Sequence, residues 1–219
     1  MIYINFKTYP AGTGPQAVEM AEMIRRVSLV VGIPVTPVVQ AFSAYQVSQV
    51  NQDWAWGQHA DAIKYGSHTG WILPEGWKQA GINGVVLNHA EHKLQFDTLK
   101  MTVDRCRAVG LSIGICADSL QEVEKILPLT PDWIAYEPPE LIGRSDISVA
   151  TAEPDVVKSA VALTTDSDTK LLIGAGIHDA NDISIGLQLG AAGFFIASAI
   201  MKADNPEAAL RQLLSGYSD

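Results

Sequence analysis

Three side chains that can move or steer a proton stand at the ends of short apolar runs in this 219-residue sequence. The first run closes as Asn5-Phe6-Lys7, the fourth as Asn88-His89, and the sixth as Glu137 followed at once by Pro138-Pro139. Strand alternation would put Asn5 and Lys7 on one face and Ile4 and Phe6 on the other. A histidine opening a helical turn has its cationic form disfavoured by the backbone dipole, so a neutral His89 can donate a hydrogen bond to a carbonyl. Two consecutive prolines end the sixth strand, and Glu140-Leu141-Ile142-Gly143 then reads as an apolar lid closed by glycine. A carboxylate beneath such a lid, shielded from water, becomes a stronger base. Taken singly, the same residues also fit a rim lysine, a satisfied rim histidine and a surface glutamate before a proline turn.

What would bring them together is a regular alternation of apolar runs and amphipathic stretches. Eight strand patterns recur: 2–7, 35–40, 54–58, 84–88, 112–116, 133–137, 170–174 and 194–198. Helical patterns lie between them at 15–31, 94–109, 120–127, 153–165, 180–189 and 206–214. Strand-helix alternation gives a parallel sheet covered by helices, and eight units suggest closure into a barrel. Gly81, Gly110 and Gly190 each stand between a helical pattern and a strand, where a left-handed cap favours glycine. No linker-like or low-complexity stretch divides the chain, so one domain over 1–219 is expected. Barrels of this kind typically run to about 250 residues, so some helices here must be shortened. An open doubly wound sheet is the competing architecture, but it usually has fewer strands.

Composition limits the partners. The chain carries 24 acidic and 15 basic side chains, a formal charge of −9, and is 47% hydrophobic. An acidic chain without a basic run is not built to hold nucleic acid or an anionic membrane surface, and no apolar run is long enough to span a bilayer. The N-terminus enters a strand pattern without a secretory signal, which predicts a cytoplasmic protein. Cys106 and Cys116 are read as reduced core thiols. An anionic ligand would need locally created positive potential. The seventh and eighth runs lead into Gly174-Ala175-Gly176-Ile177 and Ala197-Ser198-Ala199, small turns at helix starts whose amides can approach a phosphate. In a barrel, the loops after strands seven and eight are the usual phosphate site.

With these fragments in this order, the whole chain resembles the triosephosphate isomerase family in the short form typical of archaea. The resemblance rests on Asn5-Phe6-Lys7, Asn88-His89-Ala90-Glu91, the segment from Ala135 through Gly143, Gly174-Ala175-Gly176-Ile177 and Ala197-Ser198. It implies a single (β/α)8 TIM barrel with shortened helices that interconverts dihydroxyacetone phosphate and glyceraldehyde 3-phosphate in glycolysis and gluconeogenesis, without cofactor or metal. By the same resemblance Glu137 is the base and His89 the electrophile, Lys7 and Asn5 assist at the enediolate oxygens, and Glu91 partners Lys7. Ile142, Gly143, Gly176, Ala197 and Ser198 would bind phosphate through backbone amides.

The familiar Gly-His-Ser-Glu-Arg of bacterial and eukaryotic members reads Asn88-His89-Ala90-Glu91-His92 here, and the lid carries Pro139-Glu140 in place of a Val-Trp pair. These departures follow the short archaeal form. Residues 64–71 resemble the family's interdigitating subunit loop, which implies a homodimer or homotetramer; Trp71-Ile72-Leu73 would be awkward on an exposed loop. Another phosphate-binding barrel, such as a ring-forming synthase of tryptophan or thiamine biosynthesis, would share the two small-residue turns but not the lysine, histidine, glutamate and Pro-Pro lid. A silent sugar-phosphate sensor would not need all three reactive groups.

Overall fold

In a computed structural model, which describes residues 1–50, 54–138 and 148–217, eight parallel strands close into a barrel in sequence order. They are β1 (Ile2–Asn5), β2 (Val35–Val39), β3 (Trp56–Gly57), β4 (Gly84–Leu87), β5 (Ser112–Ala117), β6 (Trp133–Tyr136), β7 (Lys170–Ile173) and β8 (Gly193–Ile196). Closure pairs Ile2 of β1 with Val35 of β2 on one side and with Phe194 of β8 on the other.

The helices form the outer layer, and their lengths vary widely. Helices α1 (Pro15–Val31) and α4 (Phe96–Ala108) are long, whereas α2 (Ala44–Ser48), α3 (Pro74–Gln79) and α5 (Leu120–Ile126) are short. Beyond β6 come α6 (Val149–Ala152), α7 (Pro154–Thr164), α8 (Ala180–Gln188), α9 (Ser198–Met201) and α10 (Pro206–Ser215). Helix α1 shows why its sequence folds so: Pro15 suits a first helical position, Ala17, Met20, Ala21, Ile24 and Val27 make one buried stripe, and Gly32 closes it at φ 78°. Gly81, Gly110 and Gly190 likewise adopt φ values of 79°, 78° and 95°, as the cap reading requires.

Every strand is shorter than its apolar run except β5, which gains Ala117. The largest loss is at β3, reduced from a five-residue pattern to Trp56–Gly57. Beyond it the His59 carbonyl accepts the Trp77 indole N–H at 2.7 Å.

Strand alternation divides the core in two. Ile2, Ile4 and Phe6 face outward into the large layer between barrel and helices. The smaller cluster, Val38, Trp56, Val86, Cys116, Trp133, Ala135, Leu172 and Phe195 with Tyr3 packed on it, fills the barrel interior. Its centre is aromatic: Trp56 stacks on Trp133 at 5.4 Å between ring centroids, with Tyr3 4.9 Å from Trp56. Such bulk fits because neighbouring strands present glycine. A Cβ on Gly114 would lie 2.1 Å from Trp133 Cζ2, and one on Gly84 2.4 Å from Trp56 Cε2. This aromatic plug forms the floor beneath the barrel mouth.

Gly114→Ala should therefore lower stability by about 1–3 kcal/mol, the usual cost of overpacking a filled core. Chemical denaturation of the variant beside the parent checks this, and equal midpoints would contradict the plugged interior.

Candidate active site at the barrel mouth

Strand β1 ends at Asn5, and Lys7 does not continue its alternation as the sequence pattern suggested. Lys7 instead takes a left-handed conformation, φ 45°, with its amide donating to Asn5 Oδ1 at 3.0 Å. A non-glycine residue held there costs on the order of 1 kcal/mol, so the surroundings must fix it. Gln58 does so: its Nε2 donates to Asn5 Oδ1 at 3.1 Å and to the Lys7 carbonyl at 3.0 Å. The Lys7 ammonium then reaches Glu91 Oε1 at 2.8 Å, the pairing expected for these two residues.

After β4 the chain bends sharply at Asn88, also left-handed at φ 60°. Its Nδ2 donates to the Cys116 carbonyl and to Glu122 Oε1, both at 2.9 Å, while its Oδ1 accepts from the Leu94 amide at 3.0 Å. With Asn88 pinned, His89 caps the single turn Ala90–His92, and the Glu91 amide donates to His89 Nδ1 at 3.1 Å. That bond sets the tautomer. An Nδ1 that accepts carries no proton, so the neutral ring bears its hydrogen on Nε2. Burial, reinforced by the nearby Lys7 and Lys93 ammoniums and only partly opposed by Glu91, depresses the imidazolium pKa to about 4. Desolvation is the largest cause of that neutrality, and the Glu91 amide in the turn that His89 caps favours the same unprotonated Nδ1.

Glu137 follows β6 directly, its amide donating to the Ala117 carbonyl at 2.8 Å. Its side chain is 4% exposed, and Oε2 has no hydrogen-bond partner among the described residues. Burial raises its pKa from 4.5 to about 7, with a hydrogen bond from Cys116 and the charge of Lys7 pulling the other way. Glu137 Oε2 lies 3.7 Å from His89 Nε2. The carboxylate lies so close to β7 that only glycine fits at 174: a Cβ there would be 2.4 Å from Glu137 Cγ and 2.8 Å from Oε1. Gly174, read from sequence as part of an anion-binding turn, is required by the Glu137 side chain packed against it.

One cleft gathers Asn5, Lys7, His89 and Glu137 with Gly176, Ala197 and Ser198. Gly176 has φ 70°, a conformation glycine takes without strain. Ile142 and Gly143, with the rest of the expected lid at 139–147, lie outside the described residues. Sequence reasoning missed several members of the site. Tyr9, His178 and Phe195 also line the cleft, and Cys116, read as a reduced core thiol, hydrogen-bonds the Glu137 carboxyl. Cys116 was recoverable in principle, because it stands one residue before the mouth end of β5 in the inward register of Gly114. His178 was legible only as an imidazole directly after a glycine turn.

A parallel (β/α)8 barrel whose mouth sets a buried carboxylate beside a neutral imidazole and a lysine belongs to the enzymes that move protons by acid–base chemistry. The comparisons make the class specific: the family model described as triosephosphate isomerase matches residues 1–214, and the chain belongs to that family of isomerases. It is 40% identical over 208 residues to a triosephosphate isomerase of Sulfurisphaera tokodaii, covering 94% of this chain and 90% of the relative. The corresponding protein of Methanocaldococcus jannaschii is 36% identical over 216 residues, covering 98% of each. The crystal structure of triosephosphate isomerase from Bartonella henselae superposes with a TM-score of 0.73 over 100% of this chain and 98% of that one; at 19% identity it speaks for the fold alone.

The buried carboxyl has a consequence for stability. Its pKa is higher folded than unfolded, so the folded state holds this proton more tightly; that contribution is complete below the unfolded value of 4.5 and is lost as pH rises through about 7. Glu137→Gln, a neutral isostere, should be more stable than the parent at pH 8 by on the order of 2–3 kcal/mol, with the difference closing near pH 4. Thermal unfolding at the two pH values measures it; a difference independent of pH would contradict the elevated pKa.

Proposed function

We propose that the protein interconverts dihydroxyacetone phosphate and D-glyceraldehyde 3-phosphate, acting as one domain over 1–219 in cytoplasmic glycolysis and gluconeogenesis. Family membership supports the overall reaction. The observation that carries the residue-level reading is the 3.7 Å approach of the unpartnered Glu137 Oε2 to His89 Nε2 in a cleft shared with Lys7.

Glu137 takes a proton from the carbon bearing the hydroxyl. The electron pair of that C–H bond moves into the carbon–carbon bond, and the carbonyl π pair moves onto oxygen, giving an enediolate. His89, with its proton on Nε2, donates to the enediolate oxygens and passes a proton between them. Glu137 then returns the carbon proton to the neighbouring carbon. A glutamate base beside a neutral histidine is this family's established pattern, and the geometry here is compatible with it. A carboxyl of pKa about 7 suits the task, since it is substantially ionised at neutral pH yet basic enough to abstract a carbon-bound proton.

Lys7 supplies positive charge where the enediolate develops its negative charge. Asn5 has its Oδ1 held by Gln58 and the Lys7 amide, which directs its NH2 group for donation to the same oxygens. Gly176, Ala197 and Ser198 contribute backbone amides for the phosphate, with Ile142 and Gly143 joining them from the lid. The reaction so written needs no metal or cofactor.

The catalytic unit is further proposed to be a homodimer or homotetramer. Tyr65 and Trp71, on the loop after β3, are 64% and 59% exposed, a large apolar area to leave in water. Phe42, 79% exposed, and Gly70 line a second cleft that continues to Lys7 and His89. Neither nucleic acid nor a membrane is expected as a partner. No helix among the described residues is long and apolar enough to cross a membrane.

A coupled isomerase assay should show turnover by the purified protein, with kcat/KM rising as pH increases through about 7 while Glu137 ionises. Glu137→Ala should reduce it by about 10² to 10⁴, the range for loss of a positioned base. Absent turnover, or turnover unaffected by the substitution, would sink the assignment. Separately, sedimentation at micromolar concentration should report a species heavier than the 23.5 kDa monomer; a monomer there would remove the self-association proposal.

A further inference from the structure

The short segment that presents His89 is tied at both ends to residues 116–122. At its start Asn88 holds φ 60°, a backbone conformation that asparagine tolerates at some cost. Its side-chain amide is fully committed: Nδ2 donates to the Cys116 carbonyl and to Glu122 Oε1, and Oδ1 accepts the Leu94 amide from the far end of the segment. That last bond clamps the two ends together. Beside Leu94, Lys93 Nζ reaches back to Asp118 Oδ2 at 2.9 Å and to Glu122 Oε2. Glu122 therefore receives both ends of the segment, one on each carboxylate oxygen.

A helix cap alone does not account for Glu122. It follows Ser119 at the spacing of a capping box, and its amide donates to Ser119 Oγ at 3.2 Å. In a capping box the glutamate reaches back to the amide of the cap residue itself. Here Oε2 accepts the Asp118 amide at 2.8 Å, one residue earlier, and Oε1 is turned to Asn88. Donors from Asn88, Lys93 and Asp118 thus meet one carboxylate. A group with acceptors alone suits that convergence, whereas a glutamine would set its own NH2 against at least one of those donors.

What the anchored segment carries is the imidazole. His89 follows Asn88 directly and caps the turn Ala90–His92; the Glu91 amide donates to its Nδ1, and its Nε2 lies 3.7 Å from Glu137 Oε2. Both contacts depend on where the turn begins and how it closes, which are set at Asn88 and Lys93. Resting on the isomerase reading above, we infer that Glu122 is a positioning residue for that reaction, its carboxylate fixing through Asn88 and Lys93 the turn that aims His89. Glu122 does not line the cleft, so it acts through the residues it holds.

The test compares the parent, Glu122→Gln, Asn88→Gly and the double variant in the coupled isomerase assay and by ring ¹⁵N NMR of His89, assigned through its loss in His89→Gln. Asn88→Gly permits φ 60° without strain and removes the tether. Each single variant should lose about tenfold in kcat with KM kept within about twofold, because a displaced imidazole weakens the transition state and not the ground state. The double variant should fall no more than about threefold below either single one, where unconnected sites would multiply to about a hundredfold. The midpoint of the kcat–pH profile should stay that of the parent, since the carboxylate acts by geometry. The two ring nitrogens of His89 should be widely separated in the parent, as one tautomer requires, and draw together in both single variants. Unchanged kcat in folded Glu122→Gln, a loss confined to KM, multiplying losses, a moved midpoint or unmoved ring nitrogens would each overturn the proposal. Asn88→Gly carries every readout but additivity should Glu122→Gln fail to fold. A parent without turnover refutes the isomerase reading, and the ring nitrogens then decide the anchoring by themselves. An active parent whose turnover and tautomer ignore Glu122 refutes the anchoring alone.

Discussion

A carboxyl buried with one oxygen unpaired is the constraint around which the barrel mouth is arranged. Glu137 is desolvated without a compensating cation in contact, which keeps its proton affinity high at some expense in stability. Its neighbours are chosen to preserve that state. Gly174 withholds a side chain so that the carboxylate fits against β7, and Cys116 offers only a weak thiol donor. Lys7, which in direct contact would collapse the pKa, is drawn instead to Glu91. The same desolvation acts on His89 with the opposite sign, because burial disfavours charge whichever sign it carries: it raises the acid's pKa and lowers the imidazolium's. One physical cause leaves a carboxyl of raised pKa and a neutral imidazole side by side.

Overall acidity is compatible with an anionic substrate because positive potential is needed only locally. Lys7 is held at the mouth by a strained backbone and the Gln58 bonds, and the turns after β7 and β8 line the cleft with Gly176, Ala197 and Ser198 rather than with further ammonium groups. Uncharged groups leave the raised pKa of the Glu137 carboxyl undisturbed. Each additional fixed cation would lower the Glu137 pKa, as Lys7 and Lys93 already do in part.

The architecture was legible where a local rule acts alone. Periodicity placed all eight strands and matched α1 at Pro15–Val31, and the cap rule found Gly81, Gly110 and Gly190. Asn5, Lys7, His89, Glu137, Gly176, Ala197 and Ser198 were found in their strand-end contexts and meet in one cleft. What stayed hidden depends on contacts distant in sequence. Lys7 and Asn88 carry no signature of left-handed backbone, since what fixes them is Gln58 in one case and Cys116, Glu122 and Leu94 in the other. The need for glycine at 174 depends on a glutamate 37 positions earlier.

Glycine at 84, 114 and 174 serves one purpose at two depths of the barrel. In each case a strand gives up its side chain so that a bulky group from an adjacent strand can occupy the interior: Trp56 and Trp133 lower down, Glu137 at the mouth. The stacked aromatics close the lumen beneath the site, with Phe195 5.6 Å from Trp133 below and 6.1 Å from His89 above, by ring centroids. Glu137 and His89 are accordingly 3% and 8% exposed. The elevated pKa of Glu137 and the neutrality of His89 then follow from how the barrel is filled, which makes the glycine pattern of three strands as much a part of the chemistry as the carboxylate it accommodates.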